Sequence, residues 1–330
     1  MESQEIPKSE VIEQVYEWIY SLGALRAGLE LRVWEKIAAG VDTAEKIAAQ
    51  EGWNLAGVRV LLDTICALKL LTRNGERYSL VPESAYYLIP GKPTYKGGIV
   101  QHEINWEGNG KLAEAIRSGV RPVVYDATTA DVVGLWIADY SRRWVYPEAY
   151  FDIDNKLWQS LEIQAQEGLR VLDLACGPAP ISMALARLNP GVCITWLDWE
   201  DVLQTALKVA VGLGIANQVV LMPGDLWSVD LGSDAFDVAY LGNVTHFFSP
   251  EENTRLFRKV YSALARGGCI VVDSVVRRES AFTDTVALWL YAATATGGAY
   301  DFAEYRTMLE NAGFANVRDF DQGPIKAVKP

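Results

Sequence analysis

Histidine is nearly missing from this chain. Only 2 occur in 330 residues, and the 4 cysteines include no Cys-x-x-Cys pair and no neighbouring histidine. A zinc site or a disulfide framework needs such groupings, so neither is expected. Cys66, Cys193 and Cys269 lie in or beside apolar stretches and read as buried small hydrophobes, whereas Cys176 falls inside a glycine-containing turn, either packed or reachable. Positive charge is also scarce: 30 Lys and Arg against 42 Asp and Glu leave a formal net charge of -12. Such a balance repels polyanions and argues against nucleic acid or an acidic membrane surface as partner. No apolar run is long enough to span a bilayer, and Met1 to Glu10 lack the basic-then-apolar order of a secretion signal, so a cytoplasmic location is expected. Internal repeats, low-complexity tracts and a Gly-Lys-Ser/Thr phosphate loop are absent too.

What remains is a globular composition, 50% hydrophobic and 22% charged, in a chain long enough for a large domain and a smaller one. Aromatic residues make up 11% and include 11 tryptophans, more than a core alone needs, which points to a pocket for a flat organic small molecule.

Residues 8–40 carry apolar side chains at helical spacing, among them Val11, Val15, Ile19, Leu22, Leu25, Leu29, Val33 and Ile37, and stop at Gly40. Thr43 and Asn54 stand where N-caps of two further helices belong. Asn74-Gly75 then reads as a hairpin turn between two short β runs. Helices followed by a hairpin make a winged-helix arrangement, used either to read DNA or to build a dimer. Leu55 to Leu70, in the recognition position, offers Arg59, Asp63 and Lys69 rather than a basic stripe, which disfavours DNA. Residues 98–160 read as a helical connector rich in Trp and Tyr. We divide the chain into 1–97, 98–160 and 161–330.

From Arg170 onward β and helical runs alternate: RVLDLA, a helix over about 181–188, CITWLD, a helix over about 202–213, QVVLMPGD, FDVAYLGN, a helix over about 250–264, and GGCIVVDSVV. Alternation of this kind requires crossovers, hence a doubly wound, mostly parallel sheet of Rossmann-like α/β type. Ligands of such sheets lie outside the carboxyl ends of the strands. Three acids fall at those ends: Asp173, Asp198 and Asp225. The acid after the second strand is placed to accept hydrogen bonds from ribose hydroxyls. The first turn contains Pro178 and Pro180, which supply no N–H groups for a pyrophosphate, so a nucleoside cofactor without phosphates fits better.

The segment Asp173-Leu174-Ala175-Cys176-Gly177-Pro178-Ala179, with the helical start, resembles the class I S-adenosylmethionine-dependent methyltransferases. In particular it resembles their plant-type and bacterial small-molecule O-methyltransferases with an N-terminal winged-helix dimerisation domain. The resemblance covers nearly the whole chain. It implies S-adenosyl-L-methionine as cofactor, a homodimer and a small-molecule acceptor in secondary metabolism; no metal is expected, since Asp198 and Asp225 are needed for the cofactor and no additional carboxylate cluster or His pair at ligand spacing is visible. Where the family has three glycines after the acid, this chain has Ala175, Gly177 and Ala179; alanine costs little at negative φ and is disfavoured at positive φ.

By the same resemblance, Asp173, Ala175 and Gly177 border the cofactor and Asp198 holds its ribose. Asp225 and Leu226 meet the adenine, Trp199 or Trp227 stacks near it, and Asn243 borders the methionine portion. His246 stands at the family's catalytic histidine, but Phe247 replaces the acid that follows it. As a general base it would be kept neutral by Phe247 and Phe248 and oriented by Glu251, Asp273 or a backbone carbonyl. His102, Trp106, Trp144, Tyr146 and Trp289 are candidate acceptor-pocket residues. Methyl transfer to a hydroxyl oxygen of an aromatic or conjugated metabolite is the expected reaction. Carbon or nitrogen methylation on the same fold is the alternative, and a winged-helix ligand-sensing regulator is the rival from another class.

Overall fold

The computed structural model describes residues 10–92, 95–97, 110–122, 156–163, 167–278, 280–320 and 323–330. The chain divides into two compact units, Met1–Asn105 and Trp106–Pro330. In the first, α1 (Glu10–Glu30), α2 (Val33–Ala38), α3 (Ala44–Glu51) and α4 (Leu55–Ala67) precede a hairpin of β1 (Leu71–Asn74) and β2 (Arg77–Leu80). Arg32 at φ 55 breaks α1 from α2. Both expected caps form: the Thr43 side chain accepts from Lys46 N at 3.2 Å and that of Asn54 from Gly57 N at 2.9 Å. Asn74 pairs with Arg77, so the two-residue turn is Gly75-Glu76, one residue later than expected. Gly75 supplies the positive φ that the first central position of such a turn requires.

Trp34, Ile47, Leu62, Ile65 and Leu71 fill the core of this unit. The first turns of α1 contribute nothing to it: Val11 is 74% and Trp18 56% exposed, and Ile12, Val15, Ile19 and Tyr20 are exposed with them. The arginines are engaged locally, Arg59 by Glu45, Arg73 by Asp63 and Arg77 by Asp42.

The second unit is built on β3 (Arg170–Leu174), β4 (Cys193–Asp198), β5 (Val219–Pro223), β6 (Phe236–Gly242), β7 (Leu264–Asp273), β8 (Ala315–Asp319) and β9 (Ile325–Val328). Their order in the sheet is β5-β4-β3-β6-β7-β9-β8, with β9 antiparallel to its neighbours and the rest of the ladder parallel. Strand order reverses between β3 and β6, so the carboxyl ends of β3 and β6 flank the crevice where this class of sheet takes its ligand.

Alternation along each strand decides which layer a side chain joins. Leu172 and Leu174 pack with Leu256, Phe257, Tyr305 and Leu309 of the helices Pro250–Ala263 and Phe302–Asn311. Val171 packs on the other face with Met183, Leu185, Leu203 and Ala206 of the helices Pro180–Leu188 and Glu200–Gly212. Both faces are covered, which is why these strands read as unbroken apolar runs. Cys269 is buried as expected, whereas Cys193, the first residue of β4, is exposed beside the exposed Arg170 and corrects that part of the cysteine reading.

Candidate active site

Asp173 and Asp198 end up at one edge but do different work. The parity that sends Leu172 and Leu174 to one face sends Asp173 to the other, beneath the helix Pro180–Leu188. There it is 2% exposed and accepts from Ser182 Oγ, which in turn accepts from Trp196 Nε1 at 2.9 Å. Burial pushes the Asp173 carboxyl up to about 7. Asp198, at the end of β4, accepts from Gly177 N on Oδ2 at 2.8 Å and from Trp199 N on Oδ1 at 2.7 Å. Its pKa is raised by burial and held down in part by those two N–H groups.

The turn between β3 and its helix places Ala175, Gly177 and Ala179 at φ 54, 54 and 53. The two alanines therefore occupy the conformation that suits glycine, at a cost of about 1–2 kcal/mol each. With Gly177 N given to Asp198 and prolines at 178 and 180, the turn has few donors for a phosphate. A sulfonium nucleoside, which carries none, fits this set of groups.

Gly224 N donates to Asp198 O at 3.1 Å, so the end of β5 is tied to that of β4. Asp225 follows, with its side chain accepting from Trp227 N at 3.2 Å, and Leu226 is half-buried. Trp227 lies between Phe248, 4.9 Å away between ring centroids, and Arg255, 4.3 Å from its ring. Trp199 is 44% exposed. Asn243, at the end of β6, has φ 51 and donates its N–H to Asp273 O at 2.8 Å. Trp289 is half-buried in the helix Ala281–Ala293. His102, Trp106, Trp144 and Tyr146 lie outside the described residues.

His246 sits in a single 3-10 turn, Thr245–Phe247, past the end of β6. It is 7% exposed, and burial lowers its pKa to about 4. Phe247 lies against it, 4.4 Å between ring centroids, but Phe248 turns to Trp227 instead. Among the described residues, the hydrogen bond to the ring comes from none of the expected groups. Nδ1 hydrogen-bonds Ser274 Oγ at 2.9 Å, while the Asp273 carboxylate accepts from Tyr240 Oη at 2.7 Å. Sequence reasoning passed over Ser274, although it lies one residue beyond the end of β7 on the same sheet edge as the three acids.

The backbone of the histidine turn is pinned as well. Asn253 Nδ2 donates to Thr245 O at 2.8 Å, Gly298 N to His246 O at 3.0 Å and Tyr300 Oη to Phe248 O at 2.6 Å. Gly297 has no room for a side chain: a Cβ there would lie 2.3 Å from His246 O and 2.9 Å from Phe247 C. Both obstacles are backbone, so Gly297→Ala should displace the histidine turn. It should also lower stability by about 1–3 kcal/mol, as overpacking does, read as a lower urea midpoint with an unchanged slope.

Asp173 and His246 oppose each other in the pH dependence of stability. His246 titrates at 6.5 unfolded and at about 4 folded, so its contribution is present above 6.5 and lost as pH falls through 4. Asp173 titrates at 3.8 unfolded and at about 7 folded, so its contribution is present below 3.8 and lost as pH rises through 7. Between about pH 4 and 6.5 the two slopes cancel. Urea unfolding should show that Asp173→Asn removes its falling contribution, so that stability slopes more steeply upward with pH in the variant than in the parent across this window.

Residues 112–315 match the family description "O-methyltransferase domain" and residues 16–90 match "O-methyltransferase dimerisation domain". The chain belongs to the O-methyltransferase family. A 3-hydroxy-5-methyl-1-naphthoate 3-O-methyltransferase of Streptomyces sahachiroi is 25% identical over 91% of this chain and 88% of its own length. An L-tyrosine C(3)-methyltransferase of Streptomyces lavendulae is 29% identical over 44% of this chain and 41% of its own. The structure of human N-acetylserotonin methyltransferase in complex with S-adenosylmethionine shares the fold at TM-score 0.79 and 21% identity, covering 100% of this chain and 99% of that one. Family membership carries the fold and methyl transfer expected from the turn after β3; no helix among the described residues is long and apolar enough to cross a membrane.

Proposed function

We propose that this enzyme methylates a hydroxyl oxygen of a small aromatic or conjugated metabolite, with His246 as general base. The observation that carries the reading is a buried imidazole fixed through Nδ1 by Ser274 beyond the end of β6. S-adenosyl-L-methionine, when bound, supplies a methyl group already activated on sulfur. Asp198 has a lone pair left on each carboxylate oxygen after its two backbone bonds, enough to accept from ribose hydroxyls, and Asp225 and Leu226 flank the adenine. Asp173 supports the turn from beneath, and Ala175, Gly177 and Asn243 line the methionine portion. The protein's own part is to hold the acceptor in line and to accept its proton at Nε2. The test is transfer of a labelled methyl group to hydroxynaphthoates and other phenols, against the corresponding methyl ethers. Labelling of the ethers as fast as of the free phenols would remove the hydroxyl from the reading. Carbon methylation is the second reading, favoured by the tyrosine C-methyltransferase relative and by the lack of a carboxylate against His246 among the described residues.

We assign 1–97 to dimerisation, 98–160 to a helical connector that helps wall the acceptor pocket with His102, Trp106, Trp144, Tyr146 and Trp289, and 161–330 to catalysis. The exposed apolar side chains of α1 and the match over 16–90 support a homodimer. Light scattering at micromolar concentration should return twice 36.5 kDa, and Val15→Glu with Ile19→Glu should shift it towards the single-chain mass.

A further inference from the structure

The turn after β5 is gripped from outside by a helix. Within the turn, Asp225 O accepts from Ser228 N at 3.1 Å and from Val229 N at 2.9 Å, and the Asp225 side chain accepts from Trp227 N. The next carbonyl, Leu226 O, is taken instead by Lys259 Nζ, 2.7 Å away on the helix Pro250–Ala263. One turn earlier on that helix, Arg255 lies 4.3 Å from the Trp227 ring, which also meets Phe248. Residues four apart share a helix face, so one face holds both the backbone and a side chain of the turn.

The helix is a firm support. Its Leu256, Phe257 and Val260 are fully buried, and a capping box of Ser249 and Glu252 closes its first turn. Fixing a lysine on a carbonyl costs side-chain freedom and hydration of the ammonium. Burial lowers the Lys259 pKa, and the Asp225 and Asp230 carboxylates act against that. Water would satisfy an exposed carbonyl without this cost, so the contact serves to fix where the turn stands.

We propose that Lys259 and Arg255 are positioning residues for the cofactor, a clasp of two cations that sets Asp225, Leu226 and Trp227 in the form that takes the adenine. The inference rests on the reading that Asp225 and Leu226 flank that ring. Neither cation needs to touch the cofactor, because each acts through the turn.

Calorimetry of the full chain with S-adenosylhomocysteine tests this without an acceptor. Lys259→Met keeps the stem and removes the ammonium, and should weaken binding about tenfold, while Lys259→Arg should recover most of the loss. Arg255→Leu should weaken it about two- to fivefold, the worth of an exposed cation over an aromatic ring. Unchanged affinity in Lys259→Met overturns the clasp. So does a loss that arginine does not recover and that follows a lowered urea midpoint, which would give Lys259 a role in stability alone. Leu226→Ala separates the clasp from the reading beneath it. If that variant binds more weakly while Lys259→Met does not, the adenine assignment stands without the clasp; if both bind as the parent does, the assignment has failed as well.

Discussion

Replacing His246 by glutamine should lower turnover at least about a hundredfold while cofactor affinity stays close to the parent value. A glutamine keeps a polar group near Ser274 but cannot take a proton, so the loss isolates base function from packing. The imidazole is well suited to the role because burial keeps it uncharged at neutral pH, with its pKa lowered to about 4. The pH profile of kcat/KM should therefore lack an acid limb near 6.5 and fall only as pH approaches 4. A limb at 6.5 in the parent enzyme, or undiminished turnover in the variant, would reassign His246 to acceptor contact and strengthen carbon or nitrogen methylation.

The second large effect is expected at Asp198, where alanine should weaken S-adenosylhomocysteine binding about ten- to a hundredfold in calorimetry. Two losses combine there. On the proposed assignment two ribose hydroxyls lose a charged acceptor, and Gly177 N and Trp199 N lose the oxygens that hold the turn against β4. Asp198→Asn should be only a partial remedy, because its NH₂ must face one of those N–H donors. Unchanged affinity in a folded alanine variant would remove the ribose assignment.

How much of this was legible beforehand depended on whether the signal was local. Strand-helix alternation from Arg170 and the caps at Thr43 and Asn54 are written in neighbouring residues, and all of them form. The order of strands is not local, nor is the pairing of β8 and β9, two short strands with no alternating run to mark them. The acids at strand ends were readable as a group, but separating Asp173 from Asp198 needed the parity of β3, which turns the Asp173 side chain towards Ser182. Ser274 escaped notice because serine after a strand is ordinary, and only its distance to His246 Nδ1 sets it apart. Ala175 and Ala179 held the opposite lesson: alanine suggested negative φ, and the crossing from β3 into its helix imposed the reverse.

The tight approach of Gly297 to the histidine turn bears on how this sequence can drift. Every missense change one nucleotide away from a glycine codon introduces a Cβ, so none of them can be accepted at this position without moving His246. Random mutagenesis aimed at new acceptors will therefore return viable changes from the faces of helices such as Ala281–Ala293, while codon 297 stays silent or lethal to activity. Glycine here records a clash avoided, and a family alignment that shows it unchanged would be reporting the carbonyl of His246.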